Sequence, residues 1–122
     1  MNDALRHNAL VALTAHPELR GLVELIRRGW QVVPLLDEVG QVVEIQGTKG
    51  WPGSLHVDVI RIRDRDDVQG LRSDGEQPPR LLWVRHGALD EVVDDLLALP
   101  APGTRAAPQL AAGPVAPLWS VE

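Results

Sequence analysis

The middle of the chain, from Trp30 to Arg85, contains only short β-like runs that turns separate from one another. Parallel strands need crossover connections of a dozen or more residues, usually helices, and this part of the chain has no room for them. The runs therefore predict an antiparallel β-meander of four to five strands. Helical periodicity before Trp30 and after Gly87 completes an α+β fold whose helices pack on one face of the sheet.

Apolar residues at helical spacing predict the helices on both sides of the sheet region. Residues 3–15 carry one such stripe, and a second stripe follows Pro17, which suits the first turn of a helix. Gly29 supplies the stop of this second helix. Together the two segments predict an N-terminal helical hairpin. A third, C-terminal helix is expected to open at Gly87 and to end before Pro100. Its apolar stripe consists of Leu89, Val92, Val93 and Leu96.

The first two strands form a predicted hairpin, from Trp30 to Leu36 and from Gln41 to Gln46, around a turn at residues 37–40. Pro34 has no N–H to donate to a ladder, which predicts that the first strand lies at an edge of the sheet. A loop is expected to follow at residues 47–53.

The third run, Leu55 to Arg63, alternates apolar and polar residues but changes phase near its centre. A slip of one residue moves apolar side chains to the other face of a sheet. Either a β-bulge near Val59-Ile60, or a strand that passes between two covered regions, would account for the slip. Strands at residues 68–71 and at Arg80 to Arg85 complete the predicted meander.

Two parts of the chain differ in composition. We expect a single α+β domain over residues 1–99 and an extended Pro/Ala-rich arm over residues 100–122. The arm contains five prolines and only two charged residues, so it cannot be a regular helix and is too apolar for a solvated linker. We expect it to dock on the same domain. Its apolar anchors are Leu110, Leu118 and Trp119.

The run from Trp83 to Val93, followed by Leu96 to Gly103, resembles small actinobacterial proteins that have no assigned activity. The resemblance extends over residues 17–119. It implies no activity, cofactor or catalytic residue. Arginine occurs eleven times and lysine only once, at Lys49, a bias that favours a bacterium with a GC-rich genome as the source.

Charge and composition exclude several functional classes. The formal net charge of −5 disfavours nucleic acid and anionic membranes, whose binding depends on cationic side chains. The absence of cysteine excludes disulfides, thiolate nucleophiles and cysteine-based zinc sites. The N-terminus lacks the pattern of a signal peptide, and no apolar stretch reaches membrane-spanning length. We therefore expect a cytoplasmic protein.

Four tryptophans are the only aromatic residues of the chain. Trp30 and Trp83 lie in predicted strands, which favours the core, and Trp119 is expected to pin the arm. Trp51 lies on a turn beside Pro52. It either caps one end of the core or stands exposed as a binding anchor, because exposed tryptophan is a preferred hot-spot residue.

Catalytic and metal-binding chemistry have weak support in the sequence. His56 and Asp58 share one side of a predicted strand, so they could be two metal ligands or a base with its orienting carboxylate. His86 would be the third ligand. No spacing motif supports this set, and a solvated strand face is the preferred interpretation. No serine lies in a nucleophile elbow. No metal site and no cofactor are predicted.

The charge pattern is more informative. Arg61, Arg63 and Arg65 share one side of the third strand. The third helix carries two like-charge pairs at i, i+4 spacing, which end in Asp94 and Asp95, close to the helix end where negative charge is disfavoured. Either arginines of the same fold compensate these carboxylates, or the acidic helix is offered to a basic partner.

Two functions remain open from the sequence. The first is a small cytoplasmic protein-interaction module (adaptor, immunity-like or chaperone-like) without catalytic activity, with a protein partner or self-association at the edge strand. The alternative is a small-molecule binder or enzyme with a pocket between sheet and helices. There an arginine would hold an anionic ligand, and a volume of at least about 300 Å³ is expected. The candidate lining consists of Trp51, His56, Arg61 and His86.

Overall fold

The computed structural model of the chain describes residues 20–108 and the backbone of residues 113–114. An antiparallel sheet, whose strand order follows the chain order, is accompanied by two helices. The α+β class and the antiparallel meander are therefore confirmed, with five strands between residues 31 and 87. The elements in chain order are α1 (Arg20–Arg27), β1 (Gln31–Leu36), β2 (Val42–Gly50), β3 (Val57–Asp64), β4 (Asp67–Ser73), β5 (Arg80–Gly87), α2 (Leu89–Ala98) and β6 (Gly113–Pro114).

The β1–β2 hairpin closes through the turn that the sequence predicts. Asp37 Oδ1 accepts hydrogen bonds from the backbone N–H groups of Val39 and Gln41, at 2.9 Å each. Gly40 has a φ of 88°, a left-handed conformation that glycine adopts without steric cost. An aspartate that bonds the backbone two residues ahead of itself is a common way to start a turn.

The strand β1 lies at an edge of the described sheet, where it pairs with β2 alone. Pro34 is opposite Ile45 in this pairing, so the predicted edge position is confirmed. Proline has no backbone N–H, and natural edge strands use it to hinder pairing with a further strand. The edge of β1 is therefore a poor template for strand addition.

Both described helices contribute to one buried cluster on the same side of the sheet. The helix α1 ends as predicted, with Gly29 at a φ of 93°. The helix α2 begins at Leu89, and Gly87 ends β5 instead of opening the helix. The apolar stripe predicted for α2 is confirmed, since all four of its residues are buried. The cluster consists of Leu22, Leu25, Trp30, Ile60, Ile62, Val68, Leu89, Val92, Val93 and Leu96.

The central strand β3 is buried on both faces, because residues 58–62 are all buried. Ile60 and Ile62 belong to the core cluster, whereas Val59 and Arg61 point to the opposite face. The register of this stretch runs without a shift against both β2 and β4. Of the two explanations that the sequence leaves open for the phase slip, the bulge is therefore wrong. The apolar pattern changes phase because a central strand covered on both faces needs apolar side chains on both.

The strand β2 extends to Gly50, so the loop predicted over residues 47–53 begins too early in the chain. Gly47 pairs with Ile60, and a Cβ atom at position 47 would lie 2.9 Å from the Ile60 Cγ2 atom. Glycine at this position allows close packing inside the sheet and does not break the strand. The turn itself follows β2 and contains Trp51.

Several predicted segments lie outside the described residues, namely the helix at 3–15, the start of the second helix and most of the arm beyond Pro108. Gly113–Pro114 of the arm pairs antiparallel with Arg80 and Leu81 of β5. Within the part of the chain that the structure describes, no helix is long and apolar enough to cross a membrane.

Candidate functional site

A buried ion pair joins β3 and β4 on the side of the sheet that faces the helices. Arg72 Nε donates to Asp58 Oδ1 at 2.6 Å, and Arg72 Nη2 donates to Asp58 Oδ2 at 2.9 Å. Arg72 is 0% exposed and Asp58 is 1% exposed. Arg72 Nη1 donates to the carbonyl oxygen of Pro100 at 2.6 Å, which fastens the chain after α2 to the sheet. Such a pair tolerates burial because nearly all of its polar atoms are bonded.

Trp51 closes the outer end of this ion pair. Its Nε1 donates to Asp58 Oδ2 at 3.2 Å, and the Arg72 guanidinium carbon lies 5.5 Å from its ring centroid. Lys49 Nζ lies 4.6 Å from the same ring and donates to the carbonyl oxygen of Arg28 at 3.3 Å. The half-buried indole therefore contacts two cations and a buried carboxylate. Between a core cap and an exposed anchor, these contacts favour the cap.

His56 and Asp58 bond to different partners, although the sequence pairs them as candidate ligands. His56 precedes β3, and its Nδ1 lies 2.7 Å from Ser54 Oγ, which also accepts the backbone N–H of His56 at 3.1 Å. Both oxygens of Asp58 accept hydrogen bonds from Arg72. Among the described hydrogen bonds, no carboxylate orients the His56 ring. A histidine that activates a nucleophile is usually oriented by such a third group. Residues 20–108 also contain no group of three or more potential metal ligands.

Arg61 and Arg63 project from the other face of the sheet and meet Glu44 of β2. Arg61 Nε and Nη2 donate to the two carboxylate oxygens at 3.1 and 3.0 Å. Arg63 Nε donates at 3.1 Å and Gln46 Nε2 at 2.7 Å. Burial would raise the pKa of Glu44, but the hydrogen bonds that it accepts, first of all from Arg61, outweigh burial and lower this pKa. Arg65 does not join the other two arginines, because it lies in the β3–β4 turn.

One cross-strand row on this face connects two of the predicted site residues. Arg61 pairs with Gln69 of β4, and Gln69 pairs with the exposed His86 of β5. Gln69 is buried, and its Nε2 has no hydrogen-bond partner among the residues that the structure describes. Trp51, in contrast, contacts Asp58 on the helix-facing side. The residues predicted to line one ligand pocket are therefore divided between the two faces of the sheet.

The negative charge of the α2 carboxylates is compensated in part by Arg85 of β5. Arg85 Nη2 lies 3.5 Å from Glu91 Oε1, and Arg85 Nε lies 3.5 Å from Asp95 Oδ2. Glu91 also accepts the backbone N–H of Ala88 at 3.3 Å, at the start of the helix. Asp94 is exposed. Within residues 20–108, compensation is thus seen for one of the two like-charge pairs, and it comes from Arg85 and not from the arginines of β3.

An open groove of about 360 Å³ lies between β5 and the C-terminal end of α2. Trp83, Arg85, Asp95 and Pro100 are among its lining residues. The volume is that of a small ligand site, but the groove contains none of the four residues predicted to line a pocket. Its cation, Arg85, already faces carboxylates, so the groove does not favour an anionic ligand.

The most prominent apolar surface of the described residues is the outer end of the β1–β2 hairpin. Val39, in the turn, is 79% exposed, and its apolar neighbours on the two strands are 38–56% exposed. Five of the seven exposed large apolar residues in the described chain lie here. We call this surface the hairpin tip, and it consists of Leu35, Leu36, Val39, Val42 and Val43.

Sequence reasoning missed the hairpin tip, although it contains a signal. Leu35-Leu36 and Val42-Val43 are consecutive apolar pairs on an edge hairpin. Because side chains alternate between the two faces of a strand, each pair places apolar groups on both sides. A hairpin covered on one side would alternate apolar and polar residues instead.

No family model, no curated protein and no solved structure matches this chain.

Proposed function

We propose that the protein is a small protein-interaction module (adaptor, immunity-like or chaperone-like) without catalytic activity, which binds a partner through the hairpin tip. The exposure of five apolar side chains on one hairpin is the observation that carries this proposal. Clustered exposed apolar side chains are candidate interaction sites on a folded protein, and this hairpin holds five of the seven exposed large apolar residues in the described chain.

The state of the polar clusters supports the same proposal. Asp58 accepts hydrogen bonds from Arg72 and Trp51, and Glu44 accepts them from two arginines and a glutamine. Catalytic groups need an open position for the reacting atom, whereas these carboxylates already accept hydrogen bonds from neighbouring side chains. We assign them to the stability of the fold.

Binding at the hairpin tip is proposed to use side-chain burial and not strand addition. Pro34 has no backbone N–H, so β1, a strand of six residues, lacks one hydrogen-bond donor. Proline on an edge strand also hinders pairing with another strand. The partner would instead bury the apolar side chains of the tip, as hot-spot residues are buried at the centre of an interface.

The proposed compartment is the cytoplasm of a bacterium. A chain without cysteine needs no oxidising compartment, since it forms no disulfide. The excess of arginine over lysine supports the bacterial source.

The test compares the double variant Leu36→Ser/Val39→Ser with the control variant Leu55→Ser. Leu55 is 64% exposed and lies just before β3, at the end of the sheet away from the tip. Each full-length protein is immobilised and exposed to native lysate. A protein that the wild type and the control retain is identified, purified and titrated against all three chains. Light scattering after size-exclusion chromatography reports self-association.

We expect a dissociation constant about tenfold higher for the tip variant, because truncation of central apolar contacts costs at least the equivalent of one order of magnitude. The control should bind as the wild type does. Equal affinity of the tip variant and the wild type would reject the hairpin tip as the binding surface.

A further inference from the structure

We infer that the partner of the hairpin tip presents an apolar surface bordered by lysine or arginine side chains. This inference rests on the proposed function and specifies the chemistry of the partner.

The hairpin tip is too small to form a stable interface without neighbouring surface. Standard interfaces involve about 20–30 residues on each side and bury about 800 Å² per partner. The tip contributes five apolar side chains. A partner that binds it stably must therefore also contact the surface beside the tip.

The neighbouring surface at this end of the sheet is the β3–β4 turn. In an antiparallel meander β1 and β3 run in the same direction, so the turns that follow them lie at the same end. The hydrogen bond between Arg63 and Glu44 places the end of β3 directly beside β2. Beyond this hydrogen bond, the next residue towards the tip is Asp64 on β3 and Val43 on β2. A partner seated on Val43 comes close to the turn.

Carboxylates outnumber cations in both turns at this end. The hairpin turn has two exposed carboxylates and no cation, and the segment from Arg63 to Asp67 has three carboxylates and two arginines. One of these arginines, Arg63, donates to Glu44. Complementary charge at the rim of an interface speeds association and selects partners. An apolar patch with this border therefore suits a cationic partner. The exposed carboxylates are Asp37, Glu38, Asp64, Asp66 and Asp67.

A second copy of the chain is a poor occupant of the same surface. A two-fold symmetric dimer apposes the same patch of both subunits, which would bring these carboxylates towards their own copies at an energetic cost. Pro34 also disfavours the alternative of pairing two β1 strands edge to edge.

The experiment uses two synthetic amphipathic helical peptides as probes, one of leucine and lysine and one of leucine and glutamate, each with a fluorescent label. Anisotropy titrations compare the full-length wild type with Asp66→Asn/Asp67→Asn. The matched control, Glu76→Gln/Asp94→Asn, removes two exposed carboxylates elsewhere and changes the net charge equally. The tip variant Leu36→Ser/Val39→Ser, which leaves the charge unchanged, reports whether a probe uses the tip at all.

We expect the leucine–lysine peptide to bind the wild type and the matched control equally, and to bind Asp66→Asn/Asp67→Asn roughly fivefold more weakly, as two rim charges imply. Its affinity for the wild type should fall as the salt concentration rises, because salt screens the charges beside the tip. The leucine–glutamate peptide should not bind.

Two other results would overturn the inference, and they differ from a failure of the proposed function. If the tip variant binds more weakly than the wild type, but Asp66→Asn/Asp67→Asn and added salt have no effect, the tip is used and the partner need not be cationic. The same conclusion follows if the leucine–glutamate peptide binds the wild type as tightly as the leucine–lysine peptide and the tip variant binds it more weakly. If the matched control loses as much affinity as Asp66→Asn/Asp67→Asn, overall charge or the acidic helix accounts for binding. If the tip variant binds both peptides as the wild type does, the proposed function fails at its first step.

Discussion

At the scale of single residues, a buried and an exposed ion pair differ in what their removal should do to stability. The pair between Asp58 and Arg72 has almost no exposed surface. The pair between Arg28 and Glu24, at 2.9 Å, is largely exposed. Exposed pairs contribute about 0–1 kcal/mol, whereas removal of one partner from a buried pair leaves an uncompensated charge in the interior.

Replacement of Arg72 by methionine should therefore lower the free energy of unfolding by about 3–5 kcal/mol, because Asp58 stays buried without its guanidinium partner. The exposed control, Arg28→Met, should change it by less than about 1 kcal/mol. Urea denaturation measures both variants. The double variant Asp58→Leu/Arg72→Met should recover part of the loss, and a strictly additive loss would contradict coupling between the two side chains.

Asp74, in the loop between β4 and β5, gives a prediction for acid pH. It accepts the backbone N–H groups of Arg80 and Glu76 at 2.8 and 3.0 Å and the Arg80 Nε at 2.8 Å. The backbone hydrogen bond from Arg80 is the largest cause that lowers the pKa of Asp74 to about 2. An unfolded aspartate has a pKa of about 3.9, so the bonded carboxylate stabilises the fold above that pH and loses this contribution as the pH falls towards 2.

The free energies of unfolding of the wild type and Asp74→Asn should accordingly differ most above pH 4 and converge between about pH 4 and pH 2. Urea titrations at several pH values in this window check the convergence. A constant difference across the window would mean that the ionised state of Asp74 does not contribute.

The partners of these residues could not be read from the sequence. Asp58 is near His56 in the chain, which suggested a pair, but its true partner lies fourteen residues away on β4. Cross-strand neighbours depend on register, and register depends on where each strand begins and ends. The shared side of Arg61 and Arg63 was predictable because it follows from the two-residue period of one strand.

At the scale of elements, the close approach of α2 to the sheet depends on Gly70 of β4. A Cβ atom at this position would lie 2.8 Å from Val92 Cγ1 and 3.0 Å from Leu96 Cδ1. Both contacts are with buried residues of α2. The helix can approach β4 this closely only because the strand presents no side chain at this point.

The substitution Gly70→Ala should lower the free energy of unfolding by roughly 1–3 kcal/mol, the usual cost of overpacking a filled core. The control is Gly50→Ala at the end of β2, where a Cβ atom would meet nothing within 4 Å. This control should be neutral or slightly stabilising, because alanine restricts the unfolded chain. Thermal and urea denaturation measure both variants. Equal effects of the two substitutions would contradict the role of Gly70.

Most elements of the described chain were predictable from local chemistry. Pro34 indicated the edge, the turn at residues 37–40 indicated the hairpin, and the apolar stripe of α2 indicated the helix. The errors arose where tertiary packing overrides local signals. Gly47 suggested a loop, but it lies inside β2 because Ile60 packs against it. The phase change in β3 left a bulge and a strand between two covered regions as alternatives, and burial of both faces favours the second.

At the scale of the whole molecule, most of the exposed large apolar residues in the described chain lie at one end of the sheet, together with five exposed carboxylates. There the hairpin tip lies beside the acidic turns, whereas Trp51 and the buried ion pair lie towards the opposite end. The sequence drew attention to Trp51 because a tryptophan on a turn is conspicuous. It did not draw attention to the tip, because exposure is a property of the assembled fold and valine or leucine in a strand is ordinarily a core residue.

The most direct test of this account titrates the identified partner against two variants in parallel. The variant Leu36→Ser/Val39→Ser should bind about tenfold more weakly, while its free energy of unfolding stays within roughly 0.5 kcal/mol per substitution of the wild type. The variant Trp51→Phe, which loses the N–H donated to Asp58 and part of the ring surface that Lys49 and Arg72 contact, should lose stability and keep the affinity. The opposite result, with affinity lost in Trp51→Phe and unchanged in the tip variant, would contradict the account.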